Sequence, residues 1–485
     1  MPSMPEPTRL FEARIRDCLT APAATLGEEA TLQEAWEAAR NGRGPFVVLG
    51  KEGRLAGAFS PSDVLDWLAR GIKPGERIAA LLPGRRAPLD ADTRLLDAVV
   101  ALERARVSAL PVTDRGDRFL GVVSLCDILQ SGATPAFSLA AMLAADDSID
   151  GLRRAFAKLP DVTADLLAAG TPEEQILALL SDVNGELHRR ALALVVEDLA
   201  ADGWGAPPVE FALVVMGSGG RRENLLLPDQ DNGLILADHV EAQRPAVESY
   251  FISLAERLTA TLAAIGFALC KGNVMATNPV WRKPITEWRQ QIDVWTQRRQ
   301  PLHLLNSDVL LDVAHVAGAE RLTIALRRHM LDAMSATPQF VRDLYRIEED
   351  HGVALNWLGL LKREVSESEE PGVINLKMRG TLPLVEGARL LSVLTRIPAT
   401  STTARLEALA DAGKLDKDEA TTLIDCFRAI AGMILTQQVA DARAGRPITD
   451  YVVHEALAGR DKTRLRRALR EIETFRADLP SRLGL

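Results

Sequence analysis

The amino-acid sequence predicts an α/β protein with an additional α-helical region, and three observations support this fold class. A unit of strands and helices occurs twice near the N-terminus, at an offset of 64 residues. A strongly apolar strand, Phe211 to Met216, runs into the glycine-rich turn Gly217 to Gly220, and a second strand follows. Beyond about residue 300 the apolar residues follow only the helical period.

Length and composition are typical of a multidomain globular protein. The 485 residues suggest about three domains. A net charge of −9 argues against broad binding to nucleic acid. The four cysteines lie far apart, which indicates neither a zinc site nor a disulfide framework. The N-terminus has no signal-peptide pattern and no run of 18 apolar residues occurs, so we expect a cytoplasmic protein without a membrane partner.

The N-terminal repeat carries the pattern Gly-x-x-Ser-x-x-Asp in both copies. Gly57 to Leu65 recurs as Gly121 to Leu129, and each copy reads helix, strand, turn, strand, helix. A repeated unit of this size cannot bury its own apolar face. We therefore expect two copies packed on each other across residues 10–135.

The other boundaries follow from breaks in the helical pattern. Residues 136–205 are predicted to form a helical connector that ends at a cluster of glycines and prolines. Residues 206–297 contain the glycine-rich turn and its two flanking strands, and form the second α/β domain. Residues 298–485 are predicted to form a helical C-terminal bundle.

The repeated Ser-x-x-Asp is the first candidate site. Ser60 and Ser124 are placed as helix N-caps, with Asp63 and Asp127 three residues on, and a capping box alone would explain one copy. A helix N-terminus also offers free N–H groups to phosphate. The repeated pattern resembles the CBS-domain pair, in which these positions contact the phosphate and ribose of an adenine nucleotide. The resemblance implies ATP, ADP or AMP as a regulatory ligand, with Thr93 at the family's threonine position.

Asp229 and Asp231 form the second candidate site. They alternate along a predicted strand and therefore point to the same face. Two neighbouring carboxylates repel each other unless a cation lies between them, and Mg²⁺ with phosphate oxygens suits that position. The turn at Gly217 and Ser218 can hold phosphate through its N–H groups.

Basic residues follow this turn. Arg221 and Arg222 are predicted to neutralise a leaving pyrophosphate. The glycines lack the lysine spacing of a P-loop and the last glycine of a dinucleotide-binding turn.

The whole pattern, Gly217-Ser218-x-x-Arg221-x-Glu223 followed by Asp229-x-Asp231, resembles the DNA polymerase β-type nucleotidyltransferase superfamily. It is most similar to the branch that contains the uridylyltransferase of the PII nitrogen-signalling protein. With further segments downstream, the chain resembles a narrower family of signal-transduction proteins. That family joins a CBS pair, this nucleotidyltransferase domain and a helical C-terminal domain.

The resemblance implies transfer of a nucleoside monophosphate from an NTP to an acceptor, with Mg²⁺ held by the aspartates and a protein as the expected acceptor. Gly217, Ser218, Arg221, Arg222 and Glu223 would bind nucleotide or phosphate. It also implies a homodimer, because relatives commonly pack two CBS pairs together.

One departure from the superfamily pattern leaves a second hypothesis open. The superfamily supplies a third carboxylate from a later strand, and no acidic residue lies between Glu256 and Glu287. The strand expected there is Cys270 to Ala276, with Asn273 as its only oxygen ligand. Asparagine is a poor general base. The alternative is a non-catalytic nucleotide sensor that uses the same pocket.

Overall fold

The computed structural model describes residues 14–22, 24–41, 45–82, 87–93, 95–105, 107, 109–124, 139, 142–143, 146–348, 351–356, 358–362, 364–365 and 371–485. The chain divides into two compact units, Met1–Asp147 and Ser148–Leu485.

The first unit contains two copies of the same strand and helix order. The first copy has β1 (Ala24–Gly27), α1 (Leu32–Asn41), β2 (Phe46–Leu49), β3 (Leu55–Phe59) and α2 (Pro61–Ala69). The second has β4 (Leu89–Asp90), α3 (Leu95–Ala105), β5 (Ala109–Thr113) and β6 (Phe119–Ser124). In each sheet the first two strands are parallel and the last two antiparallel. This repeated topology confirms the predicted fold of the pair.

Aromatic packing holds the first copy together. The rings of Phe46 and Phe59 stack with centroids 5.2 Å apart, and Trp67 of α2 lies 5.6 Å from Phe59. A backbone bridge between Arg54 and Arg118 joins the two copies. The apolar strands therefore gain their burial from packing within and between the repeats.

The second unit begins with helices and a mixed sheet. The helices before the sheet are α4 (Ile149–Ala157), α5 (Leu159–Ala168) and α6 (Glu173–Ala201). Next come β7 (Phe211–Val215), α7 (Gly217–Arg221), β8 (Asn232–Leu236), α8 (Arg244–Ile265), β9 (Arg282–Pro284), α9 (Ile285–Arg298), α10 (Pro301–Leu310) and β10 (Ala314–Gly318). The strand order is β10-β7-β8-β9. The two central strands, β7 and β8, are antiparallel and carry the glycine turn and the aspartates at one end.

The rest of the chain is mainly helical. It contains α11 (Glu320–Ser335), α12 (Pro338–Glu348), β11 (Glu364–Val365), β12 (Pro371–Asn375), a π-helical turn (Lys377–Thr381), α13 (Leu382–Leu394), α14 (Thr402–Asp411), α15 (Lys417–Arg443), β13 (Tyr451–Val453) and α16 (Gly459–Leu483). The expectation of helices alone beyond residue 300 is wrong. Strand β10 completes the mixed sheet, and β11, β12 and β13 form another. These strands have two to five residues, which is too short to show a period of two in the sequence.

Two features of the interior bear on the sequence predictions. Trp281, Trp288 and Trp295 are all buried, with the last two rings each 6.1 Å from Trp281, so they pack in the core as their spacing predicted. Helix α15 has the length and composition to cross a membrane, but 67% of its most apolar window is buried inside the fold.

Candidate functional site

Asp229 and Asp231 lie on the extended segment that leads into β8. The strand proper begins at Asn232, later than the sequence suggested, and Asp229 makes only a single bridge, to Ala268. Gln230 between them is fully buried, and its Nε2 donates to the carbonyl oxygen of Phe267 at 3.3 Å. Unlike the buried Gln230, both aspartates line one narrow cleft. The alternation of extended backbone therefore brings the two carboxylates to the same side.

The glycine turn lies directly beneath Asp231. Gly217 has a φ of +57°, and a Cβ atom there would be 2.9 Å from Oδ2 of Asp231. The backbone N–H of Met216 donates to the carbonyl oxygen of Asp231 at 2.9 Å. Ser218 Oγ donates to Oδ1 of Asn224 at 3.0 Å, which fixes the turn from its other side. A glycine is needed at 217 because a side chain would meet the carboxylate.

The electrostatics of the pair favour a cation. Burial raises the pKa of Asp231, and the charge of Asp229 raises it further, while a hydrogen bond from Cys270 lowers it. Burial also raises the pKa of Asp229, and Asp450 adds to this effect, while Lys377 opposes it. Both carboxylates are thus penalised in their charged forms. A bound divalent ion would relieve that penalty.

The donor set suits magnesium better than zinc. Within the part of the chain that the structure describes, no group of three or more His, Cys, Asp or Glu side chains is placed to hold a metal ion. Mg²⁺ commonly binds through one or two carboxylates, with substrate phosphates and water completing its shell. Asp229 and Asp231 fit that pattern.

Arg221 and Arg222 are both held in ion pairs, Arg221 largely buried and Arg222 partly exposed. Arg221 Nε lies 2.7 Å from Oε2 of Glu223, and its Nη1 lies 2.6 Å from Oδ2 of Asp312. Arg222 has a left-handed backbone and pairs with Asp182 at 2.8 Å. These contacts brace the glycine turn, and a phosphate-binding role for either arginine stays a prediction.

Glu223 links the turn to the helical region. Its Oε1 accepts a hydrogen bond from the backbone N–H of Thr402 at 2.5 Å, at the start of α14. The side chain is buried, with its other oxygen on Arg221. In this structure Glu223 connects two parts of the fold, and a nucleotide contact for it remains a prediction.

The strand predicted over Cys270 to Ala276 is wrong. These residues form turns, and Asn273 lies exposed with a φ of +55°. Gly272 and Asn273 favour such a turn because both residue types tolerate left-handed backbone. The place beside β8 is taken by β9. The side chain that contacts Asp231 is the thiol of Cys270, whose pKa burial raises to about 12.

Three residues near the site were given no functional role by the sequence analysis, although Leu376-Lys377 is one of the segments that carry the family resemblance. Lys377 Nζ lies 3.2 Å from Oδ2 of Asp450, and both act electrostatically on Asp229. Asp312 is fully buried and forms ion pairs with Arg221, Arg389 and Arg405. These guanidinium groups hold the pKa of its carboxyl well below the usual range. No local pattern marks these residues, because their partners are distant in sequence.

In the first unit, Ser60 and Asp63 form the capping box of α2. Asp63 Oδ2 accepts hydrogen bonds from the N–H and the Oγ of Ser60, at 2.8 Å and 2.7 Å. Thr93 lies half-buried before α3, and Ser124 ends β6. Asp127 lies outside the described residues. The nucleotide contacts of all these residues stay predictions.

Comparison with known families agrees with this architecture. Residues 15–70 and 87–133 match the CBS domain. Residues 157–302 match the family described as "Putative nucleotidyltransferase DUF294", and residues 338–483 match the "Putative nucleotidyltransferase substrate binding domain". These two matches support a nucleotidyltransferase at a coarse level. More specifically, the chain joins a CBS pair to the DUF294 domain and its C-terminal substrate-binding domain.

Individual relatives cover only part of the chain. Arabinose 5-phosphate isomerase KdsD of Pseudomonas aeruginosa is 31% identical over 112 residues, which is 23% of this chain and 34% of the relative. Hypoxic Response Protein I, solved with two coordinated zinc ions, is 26% identical over 24% of this chain and 98% of its own, with a TM-score of 0.22. A CBS domain protein from Pyrobaculum aerophilum, complexed with AMP, is 18% identical over 25% of this chain and 98% of its own, with a TM-score of 0.22. The chain spans about a third of the length of the curated relatives it matches.

Proposed function

We propose that the Ser148–Leu485 unit transfers a nucleoside monophosphate from an NTP to an acceptor. One observation carries this proposal: Asp229 and Asp231 line one cleft, and the Asp231 carboxylate lies over the glycine turn at Gly217. The raised pKa of both carboxylates supports a cation between them. Triphosphate oxygens and water would complete the coordination of Mg²⁺.

Each part of the site has a task in this reaction. Mg²⁺, when bound, supplies charge neutralisation for the triphosphate. Asp229 and Asp231 would hold the ion, while the N–H groups of the turn at Gly217 and Ser218 would bind phosphate oxygens. An acceptor oxygen would form a bond to the α-phosphorus as the bond to the β-phosphate oxygen breaks. Pyrophosphate would leave, and the acceptor's proton would pass to solvent.

The acceptor and the regulation belong to the same proposal. The match of residues 338–483 to a putative nucleotidyltransferase substrate-binding domain supports an acceptor bound in this region, and we propose that this acceptor is a protein. ATP, ADP or AMP at the CBS pair would tune the activity, and the placement of Ser60 and Asp63 at the start of α2 supports a phosphate and ribose site there. We further propose a cytoplasmic homodimer.

Label transfer tests the enzyme directly. The full-length protein is incubated with Mg²⁺, cell extract and each NTP labelled at the α-phosphate, beside the variant Asp231→Asn. Label that enters protein with the wild type and is lost in the variant supports the transferase. Label transferred equally by both chains would place the chemistry elsewhere.

A second function is favoured by the thiol beside Asp231. The side chain hydrogen-bonded to Asp231 is a thiol and not a third carboxylate, so the site can also act as a sensor that binds nucleotide without turnover. Binding of Mg²⁺-NTP with no label in any acceptor would favour the sensor.

A further inference from the structure

Lys377 belongs to the helical region and lies beside the glycine turn. It begins the π-helical turn that joins β12 to α13. Its Nζ lies 3.2 Å from Oδ2 of Asp450, and its side chain lines a cavity of about 30 Å³ together with Ser218 and Arg221. The lysine therefore stands between the glycine turn and the C-terminal segment.

The backbone around Lys377 is firmly held. Thr381 Oγ1 donates to the carbonyl oxygen of Lys377 at 3.1 Å. The N–H of Leu376 donates to the carbonyl oxygen of Asp450 at 3.2 Å, and β12 pairs with β13 immediately beside it. Short π-helical turns frequently occur at functional sites. The position of the ammonium group is thus set by the fold.

Asp450 is in turn tied to the loop that carries the aspartates. Nε2 of Gln438 donates to Oδ1 of Asp450 at 3.2 Å, and Oε1 of the same glutamine accepts from the N–H of Leu226 at 3.1 Å. Gln438 is fully buried. A continuous set of contacts therefore joins the segment before Asp229 to the partner of Lys377.

The other cations near the site are less suited to bind a substrate. Arg221 is occupied by Glu223 and Asp312. Lys271 lies on an exposed turn. Lys377 lines the same cavity as Ser218 and Arg221, beside the glycine turn.

We propose that Lys377 binds the triphosphate of the incoming NTP and that Asp450 positions it. This rests on the proposed function of the Asp229 and Asp231 site. A triphosphate brings several negative charges beside two carboxylates, so a cation from the protein is needed in addition to Mg²⁺. An ammonium group with three donors suits phosphate oxygens. The side chain is 33% exposed, so Nζ can turn from Asp450 towards a ligand.

Full-length variants test this role by calorimetry in Mg²⁺. The probes are ATP and UTP, compared with AMP and UMP, and the chain with Asp231→Asn gives the blank for nucleotide bound elsewhere. Lys377→Met is expected to weaken triphosphate binding by roughly 10- to 100-fold while changing monophosphate binding little. Lys377→Arg should restore part of the affinity, and Asp450→Asn should give an intermediate loss. Lys271→Met is the matched control and should lose no more than about threefold.

The outcomes separate this inference from the proposed function. If the wild type shows no Mg²⁺-dependent NTP binding above the blank, the proposed function fails and the role of Lys377 falls with it. If the wild type binds NTP and Lys377→Met keeps the same preference for triphosphate, only the role of Lys377 is overturned. Equal losses of triphosphate affinity in Lys377→Met and Lys271→Met would mean that Lys377 acts only by general electrostatic attraction. That result would also overturn its proposed role. If Lys377→Met fails to fold, the role of Lys377 is tested with Lys377→Arg and Asp450→Asn. In these variants the same comparison is made between triphosphate and monophosphate binding.

Discussion

The backbone at Gly220 lies against Asp312 so closely that a Cβ atom on residue 220 would be 1.4 Å from the Asp312 carbonyl oxygen. Asp312 cannot easily move, because its carboxylate forms ion pairs with the buried Arg389 and Arg405 and with the largely buried Arg221. Gly220→Ala should therefore lower the free energy of unfolding by roughly 3 kcal/mol. Denaturant unfolding measures this loss.

Gly219→Ala is the matched control for that measurement. It lies in the same short helix, and its Cβ atom would meet Val215 at an ordinary 3.5 Å. Its stability should stay close to that of the wild type. Equal losses in both variants would mean that the contact with Asp312 is not what requires glycine at 220.

Asp231→Asn should stabilise the metal-free protein and abolish its response to Mg²⁺-NTP. The folded protein raises the pKa of Asp231, so this group favours folding at pH values below its ordinary pKa of 3.8 and loses that contribution as pH rises through the folded value. At neutral pH the two charged carboxylates destabilise the folded protein, and the amide side chain of Asp231→Asn removes one of these charges. In EDTA the thermal unfolding midpoint of Asp231→Asn should lie modestly above that of the wild type.

Thermal stabilisation by ligand is the second measurement on Asp231→Asn. Mg²⁺ with NTP should raise the midpoint of the wild type and leave that of the variant unchanged, apart from any binding at the CBS pair. A variant that still responds with the same Mg²⁺ dependence would show that Asp231 does not hold the ion.

The sequence predicts the parts of this protein that depend on local pattern. The repeat, the apolar strand before Gly217 and the alternation of Asp229 with Asp231 are all local, and the architecture follows from them. Contacts across the chain are not local. Lys377 and Asp450 are brought together beside the pairing of β12 with β13, and neither short strand has a recognisable period. The strand expected over Cys270 to Ala276 follows from the superfamily resemblance, whereas Gly272 and Asn273 within it favour a turn.

His188 should make the protein less stable between about pH 6.5 and pH 4. Its ring is buried against Phe267, with Nδ1 2.8 Å from the carbonyl oxygen of Asn184, and burial lowers its pKa to about 4. In this window the unfolded chain binds a proton at His188 and the folded protein does not. Stability therefore falls as pH drops, by about 3 kcal/mol at most from this group.

The difference between the wild type and His188→Phe isolates this contribution. The variant keeps a ring beside Phe267 and removes the titration. Urea unfolding at several pH values should show a shallower decline for the variant between pH 6.5 and 4. Parallel curves for the two proteins would rule out a buried neutral histidine.

The first CBS repeat should mediate the expected homodimer. Leu65 and Leu68 of α2 are 58% and 38% exposed, and Trp36 of α1 is 37% exposed. An apolar surface of this kind commonly marks an interface. Light scattering of the wild type at micromolar concentration should give twice the 52.7 kDa chain mass. The double substitution Leu65→Glu and Leu68→Glu should give the single mass.

Leu120→Glu serves as the control for that experiment. Leu120 lies on β6 in the second repeat and is 45% exposed. Its substitution should leave the mass at twice that of the chain. A wild-type protein that scatters as a monomer would refute the dimer.

Cys270→Asp should strengthen Mg²⁺ binding, and Asn273→Asp should not. The thiol of Cys270 already donates to Asp231, so a carboxylate at 270 would bring a third oxygen ligand beside the pair. Without metal this variant should be less stable than the wild type, because three carboxylates repel one another. With Mg²⁺ that order should reverse, and Mg²⁺ affinity should rise roughly tenfold in a titration followed by thermal stability.

Label incorporation in the same variants bears on whether chemistry occurs. Loss of a general base typically costs about 10²- to 10⁴-fold in rate, so the wild type should transfer label slowly and Cys270→Asp faster. Asn273→Asp is the matched control, since its side chain lies on an exposed turn with a φ of +55° and should change neither binding nor rate. A gain in Asn273→Asp alone would mean that the turn refolds to bring residue 273 to the metal. Label absent from all three proteins, with Mg²⁺-NTP still bound, would favour the sensor, because the two aspartates would then hold nucleotide without an acceptor reaction.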